Sequence, residues 1–270
     1  MKNYIILSVF GLFATISHTF AQGSLTPPGA PAQTMKSLDQ IEPRIPIAFG
    51  GFGISIPGSY YLTTNVVGFS SAPGINIICD NVTIDLNGFT LQGVPGSLDG
   101  INIAGAYTNI VVRNGTINGW GNDGINGNNL SQNMVLEHLV ISANTVNGVQ
   151  GNNCIISDCS IQNNQWNGIS IVGNDSRIIN NTLSGNNAAN HAIGASILIE
   201  GNNNLIEDNF VTGSGGINGI IVTASTSSNV IIKNYVNGWG SADYSIANFN
   251  DVGPIGAATN STSPWANISH

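Results

Sequence analysis

Asn163-Asn164-Gln165-Trp166-Asn167-Gly168-Ile169-Ser170-Ile171 joins a polar turn to a glycine and then to an apolar–polar–apolar triplet. Seven glycine-led openings of this kind occur in the chain, at intervals of 20 to 26 residues. They are Gly74-Ile75-Asn76-Ile77, Gly100-Ile101-Asn102-Ile103, Gly124-Ile125-Asn126, Gly148-Val149-Gln150, Gly168-Ile169-Ser170-Ile171, Gly194-Ala195-Ser196-Ile197 and Gly219-Ile220-Ile221-Val222. A second marker, an Asn or Ser heading an apolar run, follows each opening at Asn81, Asn109, Asn133, Asn153, Ser176, Asn203 and Asn229. Repetition at such a period indicates a solenoid, and alternation with period two makes its repeating element a strand. The connections are too short for crossover helices. Each strand must then pair with its equivalent one coil on, at about 4.8 Å per coil.

In a stack of this kind equivalent residues form columns. One column, Val112, Leu136, Ile156, Ile179, Ile206 and Ile232, reads as core. Two positions later, Asn114, His138, Asp158, Asn181, Asp208 and Asn234 read as a turn ladder, because short amide and carboxylate side chains tolerate left-handed backbone and satisfy turn amides.

Within the 270 residues, Met1 to Ala21 reads as a secretory signal, with Lys2, an apolar stretch from Tyr4 to Ile16, and small residues before a cut at Ala21. The expected organisation is signal 1–21, Pro-rich entry and N-terminal cap 22–53, β-helix 54–243 and C-terminal cap 244–270. The apolar stretch is too short for a membrane span, and no later one is longer. The expected product is therefore secreted, periplasmic or at the cell surface.

Six basic residues stand against fourteen acidic ones, a net charge of −8, and removal of Lys2 leaves −9. A nucleic-acid partner is not expected, because phosphate neutralisation requires basic clusters. Anionic polysaccharide meets the same objection. Cys79, Cys154 and Cys159 cannot all pair within one chain. They read either as small buried apolar residues or as one disulfide with a spare thiol. No Cys or His spacing points to zinc.

The polar position of the glycine-led strands stacks as Asn76, Asn102, Asn126, Gln150, Ser170 and Ser196, pointing outward if the flanking Ile and Val point in. Such a comb of amides and hydroxyls suits sugar hydroxyls. Trp120 and Trp166 precede two of these strands, where an exposed indole would stack on a sugar ring; the alternative is that each packs over its own turn. Asp99 and Asp123 precede glycines of adjacent coils. Their carboxyls would suit a glycosidase pair or Ca2+, or serve simply as turn residues like Asn147, Asn167 and Asn218 in the same position. His191 reads as a solvated loop residue, with Glu200 following shortly.

The repeats resemble the right-handed parallel β-helix repeat proteins, whose fold is that of pectin lyases. Leu25-Thr26-Pro27-Pro28-Gly29-Ala30-Pro31 through Glu42-Pro43-Arg44, with Val82-Thr83-Ile84-Asp85-Leu86-Asn87-Gly88-Phe89, is similar to the opening of an exported bacterial group of such proteins. Gly253-Pro254-Ile255-Gly256-Ala257 and Ser263-Pro264-Trp265-Ala266-Asn267 resemble its ending. The implied fold is all-β: a single-stranded right-handed parallel β-helix of about seven to eight coils with N- and C-terminal caps. The wider fold class includes polysaccharide lyases, hydrolases and epimerases. The sequence lacks an Asp-Pro-His-Glu string and the Gly-His-Gly and Arg-Ile-Lys pattern of its named enzymes.

Two functions are expected in consequence. The first is an exported non-catalytic protein that binds neutral glycan through Asn76, Asn102, Asn126, Gln150, Ser170, Trp120 and Trp166. The second is a polysaccharide hydrolase or lyase using Asp99 and Asp123 as catalytic residues, with Ca2+ as their cofactor.

Overall fold

The computed structural model describes residues 42–189, 191, 194–213 and 218–269. The expected signal and most of the Pro-rich entry lie outside the described residues. From Pro43 on, the chain winds as a parallel solenoid, its only described helix the single 3-10 turn Ala258–Asn260.

Three stacks of parallel strands make three faces. Phe52–Ile54, Ile75–Ile77, Ile101–Ile103, Ile125–Asn126, Val149–Gly151, Ile169–Ile171, Ala195–Ile199, Asn218–Val222 and Ala242–Ile246 pair in that order to form the first. The second runs from Ile45–Ile47 and Gly58–Leu62 through Cys154–Ser157 and Arg177–Ile179 to Asp251–Val252. The third runs from Val66–Val67 and Thr90–Gln92 through Ser160–Gln162 to Asn267–Ser269. Two long strands, Thr108–Asn118 and Gln132–Ser142, cross from the second face into the third and pair along both.

Alternation turns two apolar columns inward on the first and second faces and one on the third. On the first, Ile75, Ile101, Ile125, Val149, Ile169, Ile197 and Ile220 are in register and fully buried. On the third, Leu91, Ile117, Ile141, Ile161, Leu183, Val211 and Val236 do the same. Each such side chain contributes roughly 1.5–3 kcal/mol by leaving water.

The repeated glycine has a reason of its own. A Cβ on Gly100 would stand 2.4 Å from the carbonyl oxygen of Gly124. The same contact would be 2.6 Å from Gly124 to Gly148, and from Gly148 to Gly168. Successive coils approach too closely here for any side chain. Gly124→Ala should therefore lower stability by about 1–3 kcal/mol through overpacking. Gly53, around which a Cβ would meet nothing within 4 Å, provides the control. Urea melts of the two variants check this, and equal midpoints would contradict it.

The register differs from expectation at two kinds of place. Ile156 pairs with Ile178, then Ile206 and Ile231, so these residues and not Ile179 or Ile232 continue the core column. Likewise the left-handed corner residues are Asn114, His138, Asp158, Asn180, Asp208 and Lys233, with φ of 53° to 60°. Asn181 and Asn234 lie one place on, buried. A one-residue slip inverts every side chain, but Ile178-Ile179, Asn180-Asn181 and Ile231-Ile232 read alike in either register. The corner that heads each run shows the same slip, with Asp175 and Ser228 left-handed where Ser176 and Asn229 were expected.

The expected limits of the solenoid also move outward. Ile45–Ile47 pairs with Gly58–Leu62, and Phe52–Ile54 with Ile75–Ile77, so coiling starts before residue 54. Ala242–Ile246, Asp251–Val252 and Asn267–Ser269 continue all three faces, so it does not stop at residue 243. All three cysteines are free, with Cys154 and Cys159 buried and their thiols pushed up to about 12 by burial.

Candidate functional site

The buried Asn residues form ladders in which every amide is used. Asn181 donates its backbone N–H and Nδ2 to Asn209 Oδ1, Asn209 does so to Asn234, and Asn234 to Asn267. Buried amides satisfied in this way avoid the desolvation cost of an unpaired polar group.

Asp99 and Asp123 head a similar ladder at the corner leading into the first face. Asn167 donates its N–H and Nδ2 to Asn147 Oδ1, and Asn147 donates both to Asp123 Oδ1 at 2.8 and 3.0 Å. The Asp123 N–H donates to Asp99 Oδ1 at 3.0 Å, and Asn122 Nδ2 to the same oxygen at 2.7 Å. One coil back the equivalent residue is Pro73, which offers no side-chain acceptor, so a ladder terminating at Asp99 needs acceptors only. Asp123 has no such reason, because an amide there could donate to Asp99 just as Asn147 donates to Asp123.

Both carboxyls are buried, at 7% and 2% exposure. Burial pushes Asp123 up to about 6, and the neighbouring Asp99 adds to the rise while the Asn147 hydrogen bonds oppose it. Burial also raises Asp99, against the bonds from Asp123 N–H, Asn126 and Asn122.

The outward column of the first face holds Asn76, Asn102, Asn126, Gln150 and Ser170 in register, as expected. Three of these groups are already engaged. Asn102 Nδ2 donates to Asn76 Oδ1 at 2.8 Å, and Asn126 Oδ1 accepts from the Asn128 N–H. Ser196 does not continue the column. Ile169 pairs with Ile197 and Ser170 with Leu198, so Leu198 takes that place and Ser196 is fully buried. Gly194 is displaced with it, two residues ahead of the position its sequence suggests.

The expected tryptophans separate. Trp120 is fully buried, its Nε1–H donating to the Leu91 carbonyl at 3.1 Å. It occupies space left by Gly68, Gly74 and Gly100. A ring enclosed there cannot stack on a sugar, which corrects its assignment to the binding surface. Trp166 is 39% exposed at the rim of the first face. His191 lies against its indole, with ring centroids 4.3 Å apart.

Gln150, Trp166, Ser170, Leu198 and Glu200 surround a pocket of about 190 Å3, with Asn147, Asn167, Val172 and Gly194 completing its wall. The structure thus gathers Gln150, Ser170 and Trp166 at one site, leaves Asn76, Asn102 and Asn126 in line along the same face, and holds Asp99 and Asp123 inside the corner ladder. Leu198 and Glu200 were hidden from sequence reading by the two-residue shift after Gly194. His191 appeared alone in its loop because its contact with Trp166 crosses between coils. Among the described residues, no group of three or more His, Cys, Asp or Glu is placed to hold a metal ion.

No family model matches the chain. No curated protein sequence matches it either. Among solved structures, the alginate lyase from Paenibacillus sp. str. FPU-7 is similar with a TM-score of 0.53 at 16% identity, over 82% of this chain and 87% of that one. The A-module of a mannuronan C-5 epimerase from Azotobacter vinelandii is similar with a TM-score of 0.51 at 15% identity, over 78% of this chain. The chain spans 60% of the length of that module. At these identities the likeness is one of fold: the chain is an all-β, right-handed parallel β-helix of about eight turns.

Proposed function

We propose that this protein is an exported, non-catalytic glycan-binding β-helix whose site is the pocket beside Trp166 on the first face. The observation that carries this is the meeting of a half-exposed indole with Gln150 and Ser170 in one concavity. An indole face packs against the C–H surface of a sugar ring, while amide and hydroxyl groups bond its hydroxyls. Asn126, Asn102 and Asn76 extend the polar row over the neighbouring coils, at about 4.8 Å per step. A chain of sugars lying along this row would follow the rod. The polysaccharide-related names of both structural neighbours agree with this direction.

Titration with neutral oligosaccharides, followed by tryptophan fluorescence, tests the proposal. Wild type should saturate, and Trp166→Ala should weaken binding by about tenfold or more, since truncating an aromatic anchor at a binding site costs about 2 kcal/mol or more. Binding unaffected by Trp166→Ala would remove the pocket from the account.

One observation favours a second reading, a polysaccharide hydrolase or lyase. Asp123 is a buried carboxyl held at about 6 where an amide would satisfy the ladder, and such perturbed groups cluster at functional sites. In this reading Asp99 and Asp123 are the catalytic pair and Ca2+ their cofactor. The cation would have to displace the amide donors now on both carboxylates. Turnover of a polysaccharide panel, abolished in a folded Asp123→Asn variant, would establish it; unchanged turnover would discard it.

A further inference from the structure

We infer that the pocket beside Trp166 selects a glycan bearing protonated amino groups, an amino sugar, over its neutral and N-acylated counterparts. This rests on the glycan-binding reading of the same site and names its ligand class.

The open polar groups of the pocket are acceptors for the most part. Gln150 uses its Nε2 on Asn129 Oδ1 at 3.0 Å, which leaves its carbonyl oxygen without a partner among the described residues. Asn147 and Asn167 are consumed by the ladder, Asn167 Oδ1 accepting from the Ala195 N–H at 2.8 Å. The Glu200 carboxylate is exposed and forms no hydrogen bond or ion pair among the described residues. The donors are the hydroxyl of the largely buried Ser170 and the Trp166 indole N–H, against the Gln150 carbonyl and both Glu200 oxygens as acceptors. A ligand matching this set must bring donors, and an ammonium brings three with a positive charge.

The electrostatics point the same way. The four described cations, Arg44, Arg113, Arg177 and Lys233, all lie on the second face or its corners. Arg44 and Arg113 pair with Asp85, Arg113 also with Glu137, and Lys233 with Glu207. Arg177 is paired across strands with Ile155 and Leu205 on that same face. No described Lys or Arg stands on the first face to offset Glu200, and the one described basic ring beside the pocket is His191 against Trp166. A concavity lined by one sign of charge concentrates ligands of the other. Glu200, one residue past Ile199, is delivered to the rim by the same shift that places Leu198 outward.

The test uses the full chain with oligomers of glucosamine, N-acetylglucosamine and glucose, matched in length, at mildly acidic pH and low salt. Binding is followed by tryptophan fluorescence and calorimetry. The glucosamine oligomer should bind about two- to fivefold more tightly than the other two, the range of an exposed ion pair. That preference should shrink in high salt. Glu200→Gln should abolish it, bringing the affinity of the glucosamine oligomer down to that of the other two. Equal affinity for the three oligomers, or a preference that survives Glu200→Gln, overturns the inference while the glycan reading stands. Amine binding that persists in Trp166→Ala also overturns it, since that marks attraction to an acidic surface at large. Failure of all three to bind removes the glycan reading itself.

Discussion

Trp120→Ala should be among the most damaging single substitutions in the chain, lowering stability by about 3–5 kcal/mol, the range for emptying a core aromatic site. Two features place it there. Gly68, Gly74 and Gly100 border the ring, and a Cβ on Gly68 or Gly74 would come within 2.4–2.5 Å of it. Backbone cannot collapse into the cavity as flexible side chains would, so its volume persists. The Leu91 carbonyl also loses the indole donor and is left buried without it. Chemical denaturation measures the loss. A cost under 1 kcal/mol would mean that the ring is not enclosed as described. Oligosaccharide affinity of the folded fraction should match wild type, which separates Trp120 from Trp166.

Asp123→Asn should act in the opposite direction, raising stability at neutral pH by about 2–3 kcal/mol. The folded carboxyl titrates at about 6 against 3.8 when unperturbed, so the folded state holds the proton more tightly. The contribution of this group is most favourable below about pH 4, where both states are protonated. It is lost as pH rises from there through 6, where folding must bury a charge. The asparagine variant lacks that loss. Its advantage should be small at pH 3.5, grow between pH 4 and 6, and level off above. Its Oδ1 accepts from Asn147, and its Nδ2 is placed to donate to Asp99, continuing the pattern at Asn147 and Asn167. An advantage constant with pH would assign the gain to the amide bond alone. A destabilised variant would show that Asp123 is ionised and compensated in the folded protein.

That Asp123 is kept despite this cost is the strongest point for catalysis. Its enclosure, with Oδ1 taken by two Asn147 donors, is the strongest point against. A stabilised and still glycan-binding Asp123→Asn protein would reconcile both with a binding role.

The fold was legible because its cause is local and repeated. Glycine stands where successive coils come within a carbonyl oxygen of one another, and alternating Ile and Val set the strand faces. The register failed where neighbours are chemically equivalent, at Ile178-Ile179 and Ile231-Ile232. It failed again after the long connection before Gly194, where Ser196 imitated the outward residue that Leu198 is. Of the site, Gln150, Ser170 and Trp166 were legible because they repeat a column. The roles of Glu200 and His191 were not, since one reaches the pocket and the other the Trp166 ring from parts of the coil that depart from the repeat. Trp120 stands four residues before Gly124, in the column of buried Asn144 and Asn164, whereas Trp166 stands two before Gly168, in the column of Asn122 and Val146. The glycines beside Trp120 admit the ring, whereas Trp166 meets His191 at the surface.

The central claim, that the first face binds a glycan at Trp166, is met most directly by mapping amide and indole NMR shifts during an oligosaccharide titration. The account predicts saturable shifts of the Trp166 indole and the side-chain amide of Gln150, weaker ones at Asn126, and none at Asn118 or Gln162 on the third face. Shifts confined to another face, or none across glucose, N-acetylglucosamine and glucosamine oligomers, would contradict it.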